Sequence, residues 1–504
     1  MPATPDGAAR TLRPAQLVAR PLTGLLAELP GLRPDRPVGG EVLTGCTLDS
    51  RAVQPGDLYA ALPGARAHGA DFAEQAAGLG AAAFLTDEAG AARCASYDVP
   101  VLVADDPRAV LGGAARWVYD DPARDLLVLG VTGTNGKTTT AFLLEAGLRA
   151  AGHATGLLGT VLTRIGDDVV PSVRTTPEAP DVQALLAVMR ERGTRAVAME
   201  VSSHALSLGR VDGLVFDVAV FTNLSQDHLD FHATMEDYEA AKASLFTPER
   251  ARRAVVNVDD AAGRRIARDT ALPRTTYGED ADWQAREVDL RPDGSRFRLV
   301  GALPDGTGVD VRARVQLPGA FNVANAVAAL AALVTAGIPV EDAVRGVGDL
   351  PGVPGRMERV DAGQPFLAVV DYAHTPDAVA RLLDAVRRVT PGKVLVVLGC
   401  GGDRDRGKRP GMGRAAAEGA DVAVLTSDNP RSEDPEQILA EMAAGAPDAL
   451  REVDRRAAIA LAVSLAGPGD AVVVAGKGHE TGQEVDGVVT PFDDRDVLRE
   501  VLAG

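Results

Sequence analysis

Gly130-Val131-Thr132-Gly133-Thr134-Asn135-Gly136-Lys137-Thr138-Thr139 follows the apolar run Leu126 to Val131 and opens a helix-forming stretch. A buried strand feeding a glycine-rich turn and then a helix is the plan of a phosphate-binding loop. Glycines let backbone N–H groups approach phosphate, and the helix N-terminus adds positive potential. Lys137 can reach the β- and γ-phosphates, and Thr138 can ligate Mg²⁺. The strict G-x-x-x-x-G-K-[ST] pattern would place glycine at 131, where this chain has Val131, so the loop is a variant. It predicts nucleotide binding on a parallel α/β sheet.

The sequence on either side repeats the strand-then-loop plan. Apolar strands are expected at Ala196 to Glu200, Val218 to Thr222 and Ala254 to Val258, which implies βαβ units. Upstream, short strands at Ala82 to Thr86 and Val99 to Val103 alternate with Ala-rich helices, up to a linker at Asp120, Asp121 and Pro122. Downstream, a break at Pro351, Pro354 and Gly355 precedes strands at Leu367 to Asp371, Val394 to Gly399, Val422 to Ser427 and Ala471 to Gly476. The expected fold class is therefore α/β in three domains. These are a small N-terminal α/β domain (1–124), a central P-loop parallel-sheet ATPase domain (125–353) and a C-terminal Rossmann-like domain (354–504). The greasy stretch Ala326 to Val340 is too short for a bilayer span and reads as a buried helix.

Composition narrows the function classes. A net charge of −18 over 504 residues argues against a general nucleic-acid or anionic-membrane binder. Apolar residues at 46% and charged residues at 24% are ordinary globular values, so neither disorder nor a fibrous chain is indicated. Cys46, Cys94 and Cys400 form no C-x-x-C pair, which excludes a disulfide scaffold or zinc cluster and fits a reducing cytosol. The first thirty residues are broken by Pro2, Pro5, Pro14, Pro21 and Pro30 and contain no secretory h-region. Basic residues comprise 47 arginines and only five lysines: Lys137, Lys242, Lys393, Lys408 and Lys477. In so biased a chain, a lysine marks a place where a compact primary amine serves and a guanidinium does not.

Chemistry-bearing residues gather at the expected strand ends. Met199-Glu200-Val201-Ser202-Ser203-His204 ends one strand, and Asn223 to His232 follows the next. Three of the seven histidines, His204, His228 and His232, fall within this stretch. Carboxylate and imidazole beside a P-loop suit Mg²⁺ and a transferring phosphate. Lys242 follows on an apparent helix. In the last domain three loops, Gly399 to Pro410, Ser427 to Arg431 and Gly476 to Glu480, combine arginines with carboxylates. That mixture suits a zwitterionic ligand.

These segments together resemble the Mur ligases of peptidoglycan synthesis, and within them the tripeptide-synthetase branch. The resemblance is carried by TLDSR at 47–51, GTNGKTT at 133–139, TTP at 175–177, MEVSSH at 199–204, TNLSQDHLDFH at 222–232 and EAAKASLF at 239–246. It continues through FNVANA at 321–326, PGRME at 354–358, DYAHTP at 371–376, GCGGDRDRGKRP at 399–410, DNPR at 428–431 and GKGHE at 476–480. It implies an ATP-dependent ligase that joins the free D-Glu carboxylate of UDP-MurNAc-L-Ala-D-Glu to an amine of diaminopimelate, by default the meso form, through an acyl phosphate.

On the family pattern Leu48, Ser50, Thr175, Thr176, Ser202 and Arg210 contact the UDP-sugar dipeptide. Gly133, Thr134, Asn135, Gly136, Lys137, Thr138 and Thr139 hold ATP, with Asn322, Arg356 and Asp371 as adenine, phosphate and ribose contacts. Lys137, Glu200, His228 and Lys242 carry the catalysis. Thr138, Glu200 and His228 are Mg²⁺ ligands, joined by Lys242 as an N6-carboxylysine. Arg404, Asp428, Asn429, Pro430, Arg431, Gly476 and Glu480 match the diaminopimelate pocket. The expected partners are small-molecule substrates, with no nucleic acid, no membrane insertion and a monomeric chain. Rival readings are the same reaction with LL-diaminopimelate or L-lysine, a folylpolyglutamate synthase, or a P-loop ATPase switch. The segment Pro63 to Gly69 and Leu208 depart from the commonest pattern near the uracil end of the substrate.

Overall fold

Alternation of apolar side chains along each strand decides how the sheets are buried. In the strand Leu127–Thr132, Leu129 and Val131 enter one core while Val128 enters the other. Val394, Val396 and Leu398 of the strand Val394–Cys400 likewise point away from Leu395 and Val397. In the first domain Leu58 and Ala60 oppose Tyr59. A strand apolar on both faces must be covered on both, and the sequence supplies helices for each side. The computed structural model describes residues 12–172, 174–229, 231–303 and 305–504. Pro2, Pro5 and Asp230 lie outside the described residues.

Three main sheets follow one another along the chain. The first orders its strands Arg33–Pro34, Val101–Val103, Ala83–Thr86, Asp57–Ala60 and Gly45–Thr47, all parallel except the first. The central eight-stranded sheet runs Asp168–Pro171, Leu162–Ile165, Thr155–Leu158, Ala196–Glu200, Leu127–Thr132, Val218–Phe221, Ala254–Asn257 and Arg274–Tyr277. Its first two strands form an antiparallel hairpin edge on an otherwise parallel sheet. The third orders Glu358–Arg359, Leu367–Asp371, Ala471–Ala475, Val394–Cys400, Val422–Ser427 and Leu450–Arg451. The first and central domains share packing, because Ala184 and Ala187 of the helix Ala179–Glu191 enter the first domain's core.

Two expectations need correction. The buried helix expected over Ala326 to Val340 instead spans Ala320–Thr335, and a second helix, Val340–Asp349, starts after it. Gly337 at φ 93° and Pro339 separate them, so the apolar run crosses a turn that hydrophobicity alone does not reveal. The sequence reading also missed an antiparallel meander, Gln284–Arg291, Gly294–Ala302 and Gly308–Val315, within the central region. It covers that core with one face, including Phe297 and Leu299, and leaves arginines outside.

Candidate active site

The strand that leads into the P-loop lies between Ala196–Glu200 and Val218–Phe221, parallel to both. The P-loop, Glu200 and the loop after Phe221 therefore emerge side by side at carboxyl ends of strands, where α/β sheets bind ligands. Gly133 has φ 151°, and a Cβ there would come within 1.9 Å of Thr222 Oγ1. Gly136 has φ 86°, and its Cβ would lie 2.4 Å from Asn325 Oδ1. Neither position admits another residue without rebuilding the loop. Thr222 Oγ1 donates to the Asn135 carbonyl at 2.6 Å, while Asn223 Oδ1 accepts from the Asn135 N–H at 3.0 Å. Lys137 Nζ donates to the carbonyls of Gly133 and Thr134, each at 2.8 Å. Burial lowers its pKa, and Glu200 and Asp227 oppose that shift.

Glu200 is buried and fully engaged. Its Oε2 accepts from Thr138 Oγ1 at 2.9 Å and Thr160 Oγ1 at 3.0 Å, and its Oε1 accepts from the Thr160 N–H at 2.7 Å. Thr160 Oγ1 lies 3.0 Å from Thr175 Oγ1, which ties Glu200 to the TTP segment. His228 adopts φ 54° and its ring stacks edge-on against His204 at 4.8 Å. Burial holds the His228 imidazole down to about 4, although Asp227 raises it. Lys242 is 1% exposed on the helix Met235–Ala243, with Nζ 4.3 Å from the centre of the Tyr238 ring. Burial, then Lys137, push its pKa well below the usual lysine value. An amine in that position, once unprotonated, is a nucleophile.

Thr138, Glu200, His228 and Lys242 line one cavity of about 430 Å³, with Asp227 and Tyr238. Among the described residues no three His, Cys, Asp or Glu side chains stand close enough to cage a metal ion. The donor set still suits Mg²⁺, which retains waters and takes one or two carboxylates together with substrate phosphates. Asn322, Arg356 and Asp371 line the same cavity from the helix Ala320–Thr335 and the start of the third domain. Arg356 Nη2 donates to Thr138 Oγ1 at 3.2 Å, and its guanidinium lies over the Tyr372 ring at 4.4 Å. Asp371 accepts backbone N–H groups from Met357 at 2.7 Å and Ala373 at 2.8 Å.

The residues expected at the UDP-sugar dipeptide divide between two places. Thr175 and Ser202 line the cavity, and Thr176 Oγ1 is turned to the Glu200 carbonyl at 2.9 Å. Arg210 donates to the Thr176 carbonyl at 3.3 Å and pairs with Glu178 at 2.9 Å. Leu48 and Ser50 are in the first domain and do not line this cavity, and Ser50 Oγ donates to Gln75 Oε1 at 2.8 Å.

The three loops of the last domain converge. Arg431 Nη1 donates to the Gly402 carbonyl at 2.7 Å, and a Cβ on Gly401 would sit 3.1 Å from that nitrogen and 3.9 Å from Arg404 Cγ. Asn429 Nδ2 donates to Glu480 Oε2 at 2.8 Å. A Cβ on Gly476 would approach Asp428 Oδ2 to 2.7 Å. The Pro430 carbonyl accepts from the Glu433 N–H at 3.0 Å. His228, Met357, Asp403 and Arg431 all have φ between 46° and 54°, a left-handed conformation that costs a non-glycine residue about 1–2 kcal/mol. These four are half of the eight non-glycine residues at positive φ among the described residues.

Three family models match the chain. Those described as Mur ligase family, catalytic domain, as Mur ligase middle domain, and as Mur ligase, glutamate ligase domain cover residues 42–119, 131–333 and 355–478. A Streptomyces coelicolor protein named UDP-N-acetylmuramoyl-L-alanyl-D-glutamate--2,6-diaminopimelate ligase is 60% identical, over 97% of this chain and 98% of its own. The chain belongs to the Mur ligase family. A Corynebacterium glutamicum Mur ligase of the same name is 50% identical over 93% of both chains. A solved Mur ligase structure bearing that name matches with a TM-score of 0.67 and 36% identity, covering 97% of this chain and 99% of the other.

Geometry also brings forward residues of this Mur ligase that the sequence reading did not single out. Thr160 has no motif around it, yet it holds both oxygens of Glu200. Asp227 was visible within the histidine segment, where an acidic residue beside His228 was the signal. Arg409 is fully buried and ties the Gly399 to Pro410 loop down, donating to Glu433 Oε1 at 2.8 Å, Glu441 Oε2 at 2.7 Å and the Gly401 carbonyl at 3.2 Å. Arg409 holds the Glu433 carboxyl down to about 2. A depressed carboxylate adds stability above its unfolded value near 4.5 and loses it as pH falls toward 2. In urea unfolding, the midpoint of wild-type protein is expected to fall between pH 5 and 3, and less steeply in Arg409→Met. Equal slopes would refute the assignment.

Proposed function

We propose that this Mur ligase joins the free D-Glu carboxylate of UDP-MurNAc-L-Ala-D-Glu to an amine of 2,6-diaminopimelate, consuming ATP and releasing ADP and phosphate. The observation that carries the reading is the pairing of two sets of strand ends. One supplies a phosphate loop with a buried carboxylate and the other a pocket of mixed charge, and Arg356 spans from the third domain to Thr138. Near-full-length identity to relatives named for this reaction supports it. We divide the chain into a UDP-MurNAc region at 1–124, an ATP region at 125–353 and an amino-acid region at 354–504.

A carboxylate is a poor electrophile, so its oxygen first takes the γ-phosphoryl group and ADP departs. Lys137 and the P-loop N–H groups stabilise the charge that develops on the phosphoryl oxygens. Thr138, Glu200 and His228, with Lys242 as its carbamate, would hold Mg²⁺, which neutralises phosphate charge when bound. The neutral amine of the second substrate attacks the carbonyl carbon, loses a proton, and phosphate leaves with the C–O bonding pair. Glu480 receives the ammonium at the far end of the amino acid, and Arg431 and Arg404 receive its carboxylate. Arg210 and Ser202 orient the dipeptide, so that carboxylate and γ-phosphate meet in a near-attack geometry.

Phosphate release in the presence of ATP, Mg²⁺ and UDP-MurNAc-L-Ala-D-Glu, with meso-diaminopimelate, LL-diaminopimelate, L-lysine or no amine, tests this directly. Release that requires one diaminopimelate isomer, together with the tripeptide mass, is the expected result. Amine-independent release without a new amide would replace the ligase by an ATPase. Arg431→Ala is expected to raise the KM for diaminopimelate more than tenfold and to leave the KM for ATP within twofold, since one charge-assisted contact is worth about 1.5–3 kcal/mol. Equal effects on both would remove Arg431 from the amino-acid pocket.

A further inference from the structure

Lys477 is buried against the loops of the amino-acid pocket, and no step above uses it. It is fully buried within the GKGHE loop, while Glu480, one turn further on, keeps a third of its side chain exposed. Lys477 Nζ donates to Asn429 Oδ1 at 3.0 Å and to Glu480 Oε2 at 3.1 Å. Asn429 Oδ1 also accepts the Glu484 N–H at 3.1 Å, and Asn429 Nδ2 donates to Glu480 Oε2 at 2.8 Å. The amide has one workable orientation. Flipped, its NH₂ would face an ammonium and an N–H, and its oxygen would face a carboxylate.

We infer that Lys477 is the positioning residue that locks Glu480 Oε2 and Asn429 Oδ1, leaving Glu480 Oε1 as the acceptor for the far ammonium of the amino-acid substrate. The inference rests on the amino-acid pocket proposed above and deepens it. With Oε2 taking two donors, the carboxylate cannot rotate to chelate or follow a ligand. Selection then depends on whether the ligand brings a cation to Oε1, which takes no donor among the described residues. An unlocked Glu480 would gain freedom to adapt, and would discriminate less. The choice of lysine follows from the same geometry. Two side-chain oxygens face the position among the described residues, enough for a compact ammonium, whereas a buried guanidinium has five N–H donors to satisfy.

The test compares full-length wild-type, Lys477→Met, Glu480→Gln and the double variant, with meso-diaminopimelate and with 2-aminopimelate, which lacks the far amine. For Lys477→Met we expect the KM for diaminopimelate to rise about thirtyfold, those for ATP and the UDP-dipeptide to stay within twofold, and the preference for diaminopimelate over 2-aminopimelate to fall at least tenfold. In the Glu480→Gln background the same substitution should change the KM for diaminopimelate less than threefold, because coupled residues are non-additive. A uniform loss across all three substrates, an unchanged preference, or additivity in the double variant overturns the inference. Should Lys477→Met not fold, Lys477→Gln, which keeps a donor but no charge, answers instead. A folded Lys477→Gln with wild-type preference overturns it, and a fall in preference supports it. Wild-type enzyme separates the two levels. Use of L-lysine in place of diaminopimelate overturns only the choice of amine, and the comparison is then run with L-lysine against 2-aminohexanoate. Indifference to every amine overturns both.

Discussion

Lys137→Met is expected to lower kcat by about a hundredfold to a thousandfold while leaving the folded protein intact, since a preorganised charge at a transferring phosphoryl group is worth about 3–4 kcal/mol. The ammonium touches two carbonyls of its own loop, so its removal breaks no contact between elements. The P-loop keeps its shape through Thr222 and Asn223, which brace Asn135 from the neighbouring strand end. Steady-state kinetics beside thermal denaturation decides the matter. A loss of activity that tracks a loss of melting temperature would make Lys137 a structural residue, and a tenfold loss or less would remove it from phosphoryl transfer.

Arg455→Met should have the largest effect on stability. Arg455 and Asp494 form an ion pair with neither side chain exposed, bonded at 2.7 Å through both Nε and Nη2. Removing one partner of a buried pair leaves an uncompensated charge and costs about 3–5 kcal/mol. The remaining hydrogen bonds of Arg455 go to the carbonyls of Ser427 at 3.1 Å and Ala475 at 2.9 Å. Those residues precede Asp428 and Gly476, and the strands bearing them are separated by Val394–Cys400. One guanidinium therefore sets the spacing of two candidate ligand loops across an intervening strand. We expect the melting temperature to fall by roughly 10 °C, at about 2–4 °C per kcal/mol for a domain of this size. At a temperature where the variant is folded, the KM for the amino acid should rise at least fivefold, with that for ATP unchanged. A double variant Arg455→Met with Asp494→Leu should recover much of the stability without recovering the KM. Full recovery of both would show that the pair acts on stability alone.

Local order dominated what could be read in advance. Strands such as Ala196–Glu200, Leu367–Asp371 and Val422–Ser427 coincide with the expected runs, because a strand covered on both faces is continuously apolar until a polar residue closes its carboxyl end. The glycine-rich turn before Lys137 was equally plain, since backbone approach to phosphate restricts residue type over a few consecutive positions. The meander from Gln284 to Val315 was not legible. Charged residues such as Arg286, Asp289, Arg296, Asp310 and Arg312 face solvent along its three strands, and the pattern lacks a continuous apolar run.

The sequence alone determined the α/β class, the apolar strands on either side of the glycine-rich loop and the loop itself, because each rests on residue types at short spacing. Tertiary structure alone decided that Thr160 grips Glu200, that Arg356 reaches Thr138, and that Lys477 turns inward to hold Glu480 and Asn429. Asn429 and Lys477 stand 48 residues apart, and Thr138 and Arg356 stand 218 apart. Hydrogen bonds at such separations depend on which strands become neighbours and which way a buried side chain turns. Both are set by packing the whole core, and no local spacing encodes them.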